Sequence, residues 1–126
     1  MEFFRIADIR TSEEELQQKI TIGTLDAFCA SIEEVFEDKG ATGRAYTLWG
    51  DFRINREPIK GGVRFTFPEC PNMLAWTVTT GYDPAPESVL FHCTIARPTH
   101  DPDFVESLDE FADDWQKGLQ NGWSSI

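Results

Sequence analysis

The stretch TLDAFCASIEEVFEDK, residues 24–39, decides how the rest of the chain is assembled. Leu25, Phe28, Cys29, Ile32, Val35 and Phe36 recur at steps of three and four, which places them on one helical face. Thr24 suits an N-cap and Gly40 a stop, while Glu33, Glu34, Glu37 and Asp38 fall mostly on the opposite side. The spacing predicts an amphipathic helix over 24–39.

Upstream, Ser12-Glu13-Glu14-Glu15 is a capping-box pattern opening a brief helix, with Leu16 and Ile20 as its apolar anchors before Gly23. The first ten residues mix apolar and charged side chains and read as a short strand or a docking arm. Downstream, the period changes to two. Tyr46, Leu48, Phe52 and Ile54 alternate with Thr47, Trp49, Asp51 and Arg53, and this predicts a first strand. Val63, Phe65 and Phe67 predict a second, Leu74, Trp76 and Val78 a third, and Val89, Phe91, Cys93 and Ile95 a fourth. The links carry breakers (Pro58 with Gly61-Gly62, Pro68 to Pro71, Gly81 with Pro84 and Pro86) and are short, which suits antiparallel neighbours.

A final helix begins where Asp101 can cap, Pro102 fits the first turn and Asp103 adds negative charge near the N-terminus. Phe104, Leu108, Phe111, Trp115 and Leu119 form its apolar stripe, and a tail containing Trp123 follows. The expected fold is a single two-layer α+β domain over residues 1–126. It comprises a four-stranded antiparallel meander with N-terminal and C-terminal helices packed on one face. The other face of the sheet would present Trp49, Arg53, Arg64, Thr66, Met73, Thr77, Thr79, Leu90, His92 and Thr94.

Charge narrows the partners. The 126 residues carry 22 Asp and Glu against 11 Lys and Arg, a net charge of −11. Seven carboxylates lie between Asp101 and Lys117, whereas Arg44, Arg53, Arg56, Lys60 and Arg64 cluster in the middle of the chain. Phosphate binding needs a basic footprint, so direct nucleic-acid binding is not expected, and anionic membranes are disfavoured equally. No apolar run approaches the ~18 residues of a spanning helix, and Met1 to Arg5 lacks the features of a secretory leader. Cys29, Cys70 and Cys93 are odd in number and widely spaced, which fits reduced thiols and a cytoplasmic location.

No catalytic residue, metal site or cofactor is expected. His92 and Cys93 are neighbours in a strand and point to opposite faces. Cys29 and Cys70 lack a C-x₂-C partner. His100, Asp101 and Asp103 resemble an acidic loop, but no glycine-turned calcium loop follows. Gly61-Gly62 after Lys60 lacks phosphate-loop spacing and reads as a hairpin.

The leading expectation is a non-enzymatic protein that binds a basic protein partner. In its most concrete form it is an inhibitor or immunity-type protein that blocks a nucleic-acid enzyme. Glu106, Asp109, Glu110, Asp113 and Asp114 would stand in for phosphates and steer the partner. The aromatic and basic set on the open sheet face, Trp49, Arg53, Arg64 and His92, is the candidate interface for a homodimer or second contact. Small size, low pI and helix–sheet–helix order are also loosely similar to the type III secretion chaperone family, which would imply a dimeric secretion chaperone. A third expectation, of another class, is a small-ligand-binding or enzymatic domain. Its pocket would lie between sheet and helices, lined by Tyr46, Trp76, His92 and Arg53.

Overall fold

The computed structural model describes residues 1–96 and 101–125. Seven strands form one antiparallel sheet: β1 (Glu2–Ala7), β2 (Ile32–Asp38), β3 (Thr42–Thr47), β4 (Gly50–Ile59), β5 (Gly62–Thr66), β6 (Ala75–Thr80) and β7 (Val89–Thr94). Their spatial order is β1-β7-β6-β5-β4-β3-β2, so the first strand pairs with the last and the remainder is a six-stranded meander. Three helices, α1 (Glu13–Lys19), α2 (Leu25–Phe28) and the long α3 (Pro102–Gly122), complete the chain, with 3-10 turns at Ile22–Thr24 and Trp123–Ser125.

This overturns the four-stranded meander flanked by two long helices. The helix expected over 24–39 is only the four residues of α2, and the chain continues as edge strand β2. The β2–β3 register slips between Ile32 and Glu34 and again between Val35 and Glu37. Each slip inserts an extra residue, so Ile32, Val35 and Asp38 face Thr47, Ala45 and Gly43 at steps of three rather than two. Two bulges therefore imitate a helical period. Phe36, assigned to the buried stripe, is 54% exposed.

The strand expected over 46–54 is in fact a hairpin. Leu48 and Trp49 form its turn, and Gly50 takes φ +115°, which favours glycine. The buried Thr47 hydroxyl closes the turn by accepting from the Trp49 amide at 3.1 Å and donating to the Gly50 carbonyl at 3.0 Å. The three later strands lie where alternation put them.

α3 matches its sequence signals. Asp101 accepts from the Asp103 amide at 2.9 Å, Pro102 occupies the first turn, and Leu108, Phe111, Ala112, Trp115 and Leu119 are buried. This stripe lies on the inner face of the sheet, against Phe65, Trp76, Val78, Phe91 and Cys93. Ser12 caps α1 through the Glu15 amide. The Glu15 carboxylate does not reach back, as a capping box requires, but accepts from the Thr11 hydroxyl at 2.7 Å and the Trp123 indole at 3.1 Å. Trp123 thus ties the C-terminal end to α1, with Lys19 4.7 Å above its ring. At the other end of α1, Arg56 donates to the carbonyls of Gln17 and Ile20, which the helix leaves unbonded.

α2 meets α3 at Gly118, where a Cβ would overlap the Phe28 carbonyl oxygen. Gly118→Ala is expected to cost about 3 kcal/mol, the upper part of the usual overpacking range, because backbone rather than a side chain must yield. Denaturant unfolding would register this as a lower midpoint. The Glu15 carboxyl sits below its ordinary pKa, chiefly through the Thr11 hydroxyl; partial burial works the other way, and Trp123 and Lys19 lower it further. A depressed carboxyl contributes stability above its unfolded value and loses it as pH falls through the folded one. Thr11→Val should therefore be less stable than the parent at pH 7. The gap should narrow as pH drops below about 4.3, the ordinary Glu value, in thermal melts run in parallel.

Candidate functional site

A cluster of rings occupies the centre of the interior between the sheet and α3. Trp76 on β6 is stacked near Phe65 (5.3 Å between centroids) and meets Phe67 and Phe111 edge-on at 5.2 and 5.0 Å. Trp115 on α3 stands 6.2 Å from Trp76 and stacks on Phe91 at 5.8 Å. Period-two strands aim the sheet rings inward, and the helical stripe supplies the rest. Both indoles are buried, and neither Trp76 Nε1 nor Trp115 Nε1 has a hydrogen-bond partner among the described residues. An unpaired buried donor costs about 1–3 kcal/mol, so these two N–H groups stand out in an otherwise satisfied interior.

A cavity of about 170 Å³ opens beside this layer, under the first turns of α3. Trp49, Phe52, Phe67, Leu74 and Phe104 form its apolar walls, and Cys70 and Asn72 stand on the β5–β6 loop side. Among the described residues no charged side chain lines it. The β3–β4 turn places Trp49 here: its indole donates to Ser107 Oγ on α3 at 2.8 Å, and its ring lies 5.1 Å from Phe111. Phe67 both lines the cavity and touches Trp76, so one ring separates the cavity from the first unpaired donor.

The expected site residues are scattered. Trp49 was assigned to the open sheet face, but the hairpin turn delivers it to the helix side. Arg53 is outward and lies 4.0 Å from Glu69, and Arg64 is outward and paired with Glu57 at 2.6 Å. His92 is also outward, stacked on Phe4 at 4.3 Å and within 2.9 Å of Glu2. Of the pocket lining expected between the layers, only Trp76 lies inside, because Tyr46, Arg53 and His92 fall on the outward period of their strands.

On α3, Glu106 and Glu110 are exposed. Asp109 and Asp113 bind Arg5 of β1 at 3.2 and 2.8 Å, and Asp114 accepts from the Ser31 hydroxyl. Burial works against the Arg5 charge, but hydrogen bonds to Asp113 and Asp109 outweigh it and raise its pKa. The anionic ridge read from sequence is therefore partly neutralised, and by the N-terminal strand rather than by the central arginines.

Cys29 and Cys93 lie in the apolar interior, and burial pushes both thiols up to about 12, which disfavours the thiolate form at neutral pH. Among the described residues no group of three His, Cys, Asp or Glu side chains is placed to hold a metal ion. His100 of the proposed acidic loop lies outside the described residues. No helix among them is long and apolar enough to cross a membrane. The cavity walls were missed because Trp49 and Phe104 come from distant turns. The available signal was Gly50 itself, whose freedom at positive φ permits a tight turn after Leu48 and Trp49.

No protein-family model and no curated protein matches the chain. Solved structures do. XoxI from Bacillus cereus superposes with a TM-score of 0.68 at 15% identity, covering 98% of this chain and 95% of that one. An uncharacterised protein from Bacillus thuringiensis gives 0.70 at 15%, covering 98% and 99%. A START superfamily protein from Mycobacterium smegmatis gives 0.63 at 10%, covering 98% and 97%. The fold is START/Bet v1-like. At these identities the likeness extends to the fold alone, and none of the three descriptions mentions an inhibitor, immunity or chaperone role.

The burial pattern sets the order of thiol reactivity. In the native protein at pH 8, iodoacetamide should modify Cys70 alone, with Cys29 and Cys93 reacting only after denaturation. Mass spectrometry would show one adduct rising to three, and rapid native modification of Cys93 would contradict the packing described.

Proposed function

We propose that the protein binds a small, uncharged, largely apolar molecule between the sheet and α3, and that it acts by holding this molecule rather than by transforming it. The observation carrying this reading is the apolar cavity bounded by Trp49, Phe52, Phe67, Leu74 and Phe104, set one ring away from an unpaired indole donor. Its volume, about 170 Å³, is comparable to the engineered apolar cavity of about 150 Å³ that takes up benzene. Ligand sites are typically apolar concavities with a few polar groups that fix orientation. The Asn72 amide at the wall fits that role.

The ligand's charge follows from the lining. With no cation or anion among the described wall residues, an ionised guest would lose its hydration without compensation from them. A carbonyl, ether or similar acceptor would instead take a hydrogen bond from the Asn72 side-chain amide at the wall. A binding rather than catalytic role is supported by the chemistry at hand: among the described residues the lining's one thiol, Cys70, has no titratable partner beside it in the wall.

Acetophenone and ethylbenzene, nearly the same size and differing in one acceptor, test this directly. Both should shift the indole N–H signal of Trp49 in ¹H–¹⁵N spectra. The ketone should bind about fivefold more tightly, the worth of one net hydrogen bond of about 1 kcal/mol. Cys70→Phe should fill the cavity and weaken both. An unmoved Trp49 signal up to the solubility of both compounds would refute the reading.

A further inference from the structure

Outside the sheet–helix interior, a groove of about 600 Å³ runs along edge strand β1, lined by Phe4, Ile6, Leu90 and Pro84 with Arg5 and Gln116. Phe4 is 50% exposed and Ile6 39%, a large apolar exposure for adjacent outward positions on one strand. An exposed edge strand invites pairing with another strand, but here α3 and β1's own arginine occupy the edge. The Phe4 carbonyl accepts from Arg5 Nη1 at 2.9 Å and the Ile6 carbonyl from Gln116 Nε2 at 2.7 Å. The Asp8 amide donates to Gln120 Oε1 at 2.9 Å. With these three groups committed, adding a strand to this edge would require displacing their side-chain partners, which favours an occupant that binds through side chains.

The surroundings fix its charge. Glu2 and Asp8 share the outward face of β1 with Phe4 and Ile6, and Asp83 and Glu87 belong to the loop that carries Pro84. Asp109 and Asp113 stand behind Arg5. Against these six carboxylates are Arg5, already held by two of them, Arg10, within 3.4 Å of Glu87, and the imidazole of His92, within 2.9 Å of Glu2. An apolar floor with an acidic rim complements a segment that presents apolar side chains flanked by Lys and Arg. The same rim disfavours a second copy of a chain with net charge −11 and an anionic lipid surface.

We infer that the β1 groove docks a basic amphipathic helix of a partner protein, with its apolar face on Phe4, Ile6 and Leu90 and its cations on the acidic rim. This surface is separate from the interior cavity, so ligand binding and helix docking stand or fall independently.

An 18-residue Leu/Lys helical peptide and its Leu/Glu counterpart, read by fluorescence anisotropy at low salt, test the inference. The Leu/Lys peptide should bind the parent, and Phe4→Ser/Ile6→Ser should weaken it at least tenfold while leaving circular dichroism and the indole signals unchanged. Glu2→Gln/Asp8→Asn/Glu87→Gln, which keeps the groove, should weaken it less and flatten its salt dependence. Equal affinity for the parent and either Phe4→Ser/Ile6→Ser or a single Leu90→Ser variant would overturn the proposal, as would binding of the Leu/Glu peptide with the same affinity. Sedimentation showing a parent dimer that Phe4→Ser/Ile6→Ser converts to monomer would assign the groove to a second copy and overturn it equally.

Discussion

The packing of Trp76 against the rings of α3 is the contact on which the rest of the structure depends. The inner face of the seven-stranded sheet is covered by α3 together with the short α1 and α2, and α3, the longest of them, offers a stripe of only five buried residues. Large aromatic side chains make this possible, since each removes far more surface from water than an aliphatic residue. Trp76, Phe111 and Trp115 bring β6 and α3 together, and Phe65, Phe67 and Phe91 extend the layer across the neighbouring strands. Rings of this size pack around fixed geometries and leave gaps where a turn replaces a strand. The cavity under the first turns of α3 lies at such a margin, where Trp49 arrives from a hairpin and Phe104 from the helix start.

α3 is used on three sides. Its apolar stripe closes the interior, and its Gln116 and Gln120 side chains occupy backbone groups of β1 that would otherwise recruit another strand. Asp109 and Asp113 hold Arg5, anchoring β1 to the helix from the same direction. An edge closed by side chains keeps the sheet from extending while leaving Phe4 and Ile6 open to solvent. Protection of the backbone and exposure of apolar side chains therefore coexist on one strand, which is why that strand forms a groove rather than an adhesive edge. The opposite edge, β2, is guarded differently, by two bulges and by Glu33, Glu34 and Glu37.

The central arginines show how far composition alone can mislead about fields. In sequence they form a basic block facing an acidic terminal helix. In space Arg44 pairs with Asp51 at 2.7 Å and Arg64 with Glu57, both across adjacent strands, while Arg56 serves the end of α1. Two members of the block are paired by hairpin partners, and a third is spent on helix carbonyls, which sequence spacing does not reveal. Net charge survives this pairing; its apparent polarity along the chain does not.

By itself the sequence determined the elements whose signals are local and mutually consistent. α3 follows from Asp101, Pro102 and a clean 3.6-residue stripe, and β5, β6 and β7 follow from strict alternation between strong breakers. Only the tertiary structure decided the segment over 24–39, because a doubly bulged strand and a helix both place apolar side chains at steps of three. The choice between them is made by pairing with β3, a contact remote from any local propensity. It likewise decided the side to which Trp49 points, since a two-residue turn reverses the chain and carries the indole to α3. The cavity and the groove draw their walls from strands, turns and a helix up to a hundred residues apart, and such surfaces exist only once the sheet has closed around its helix.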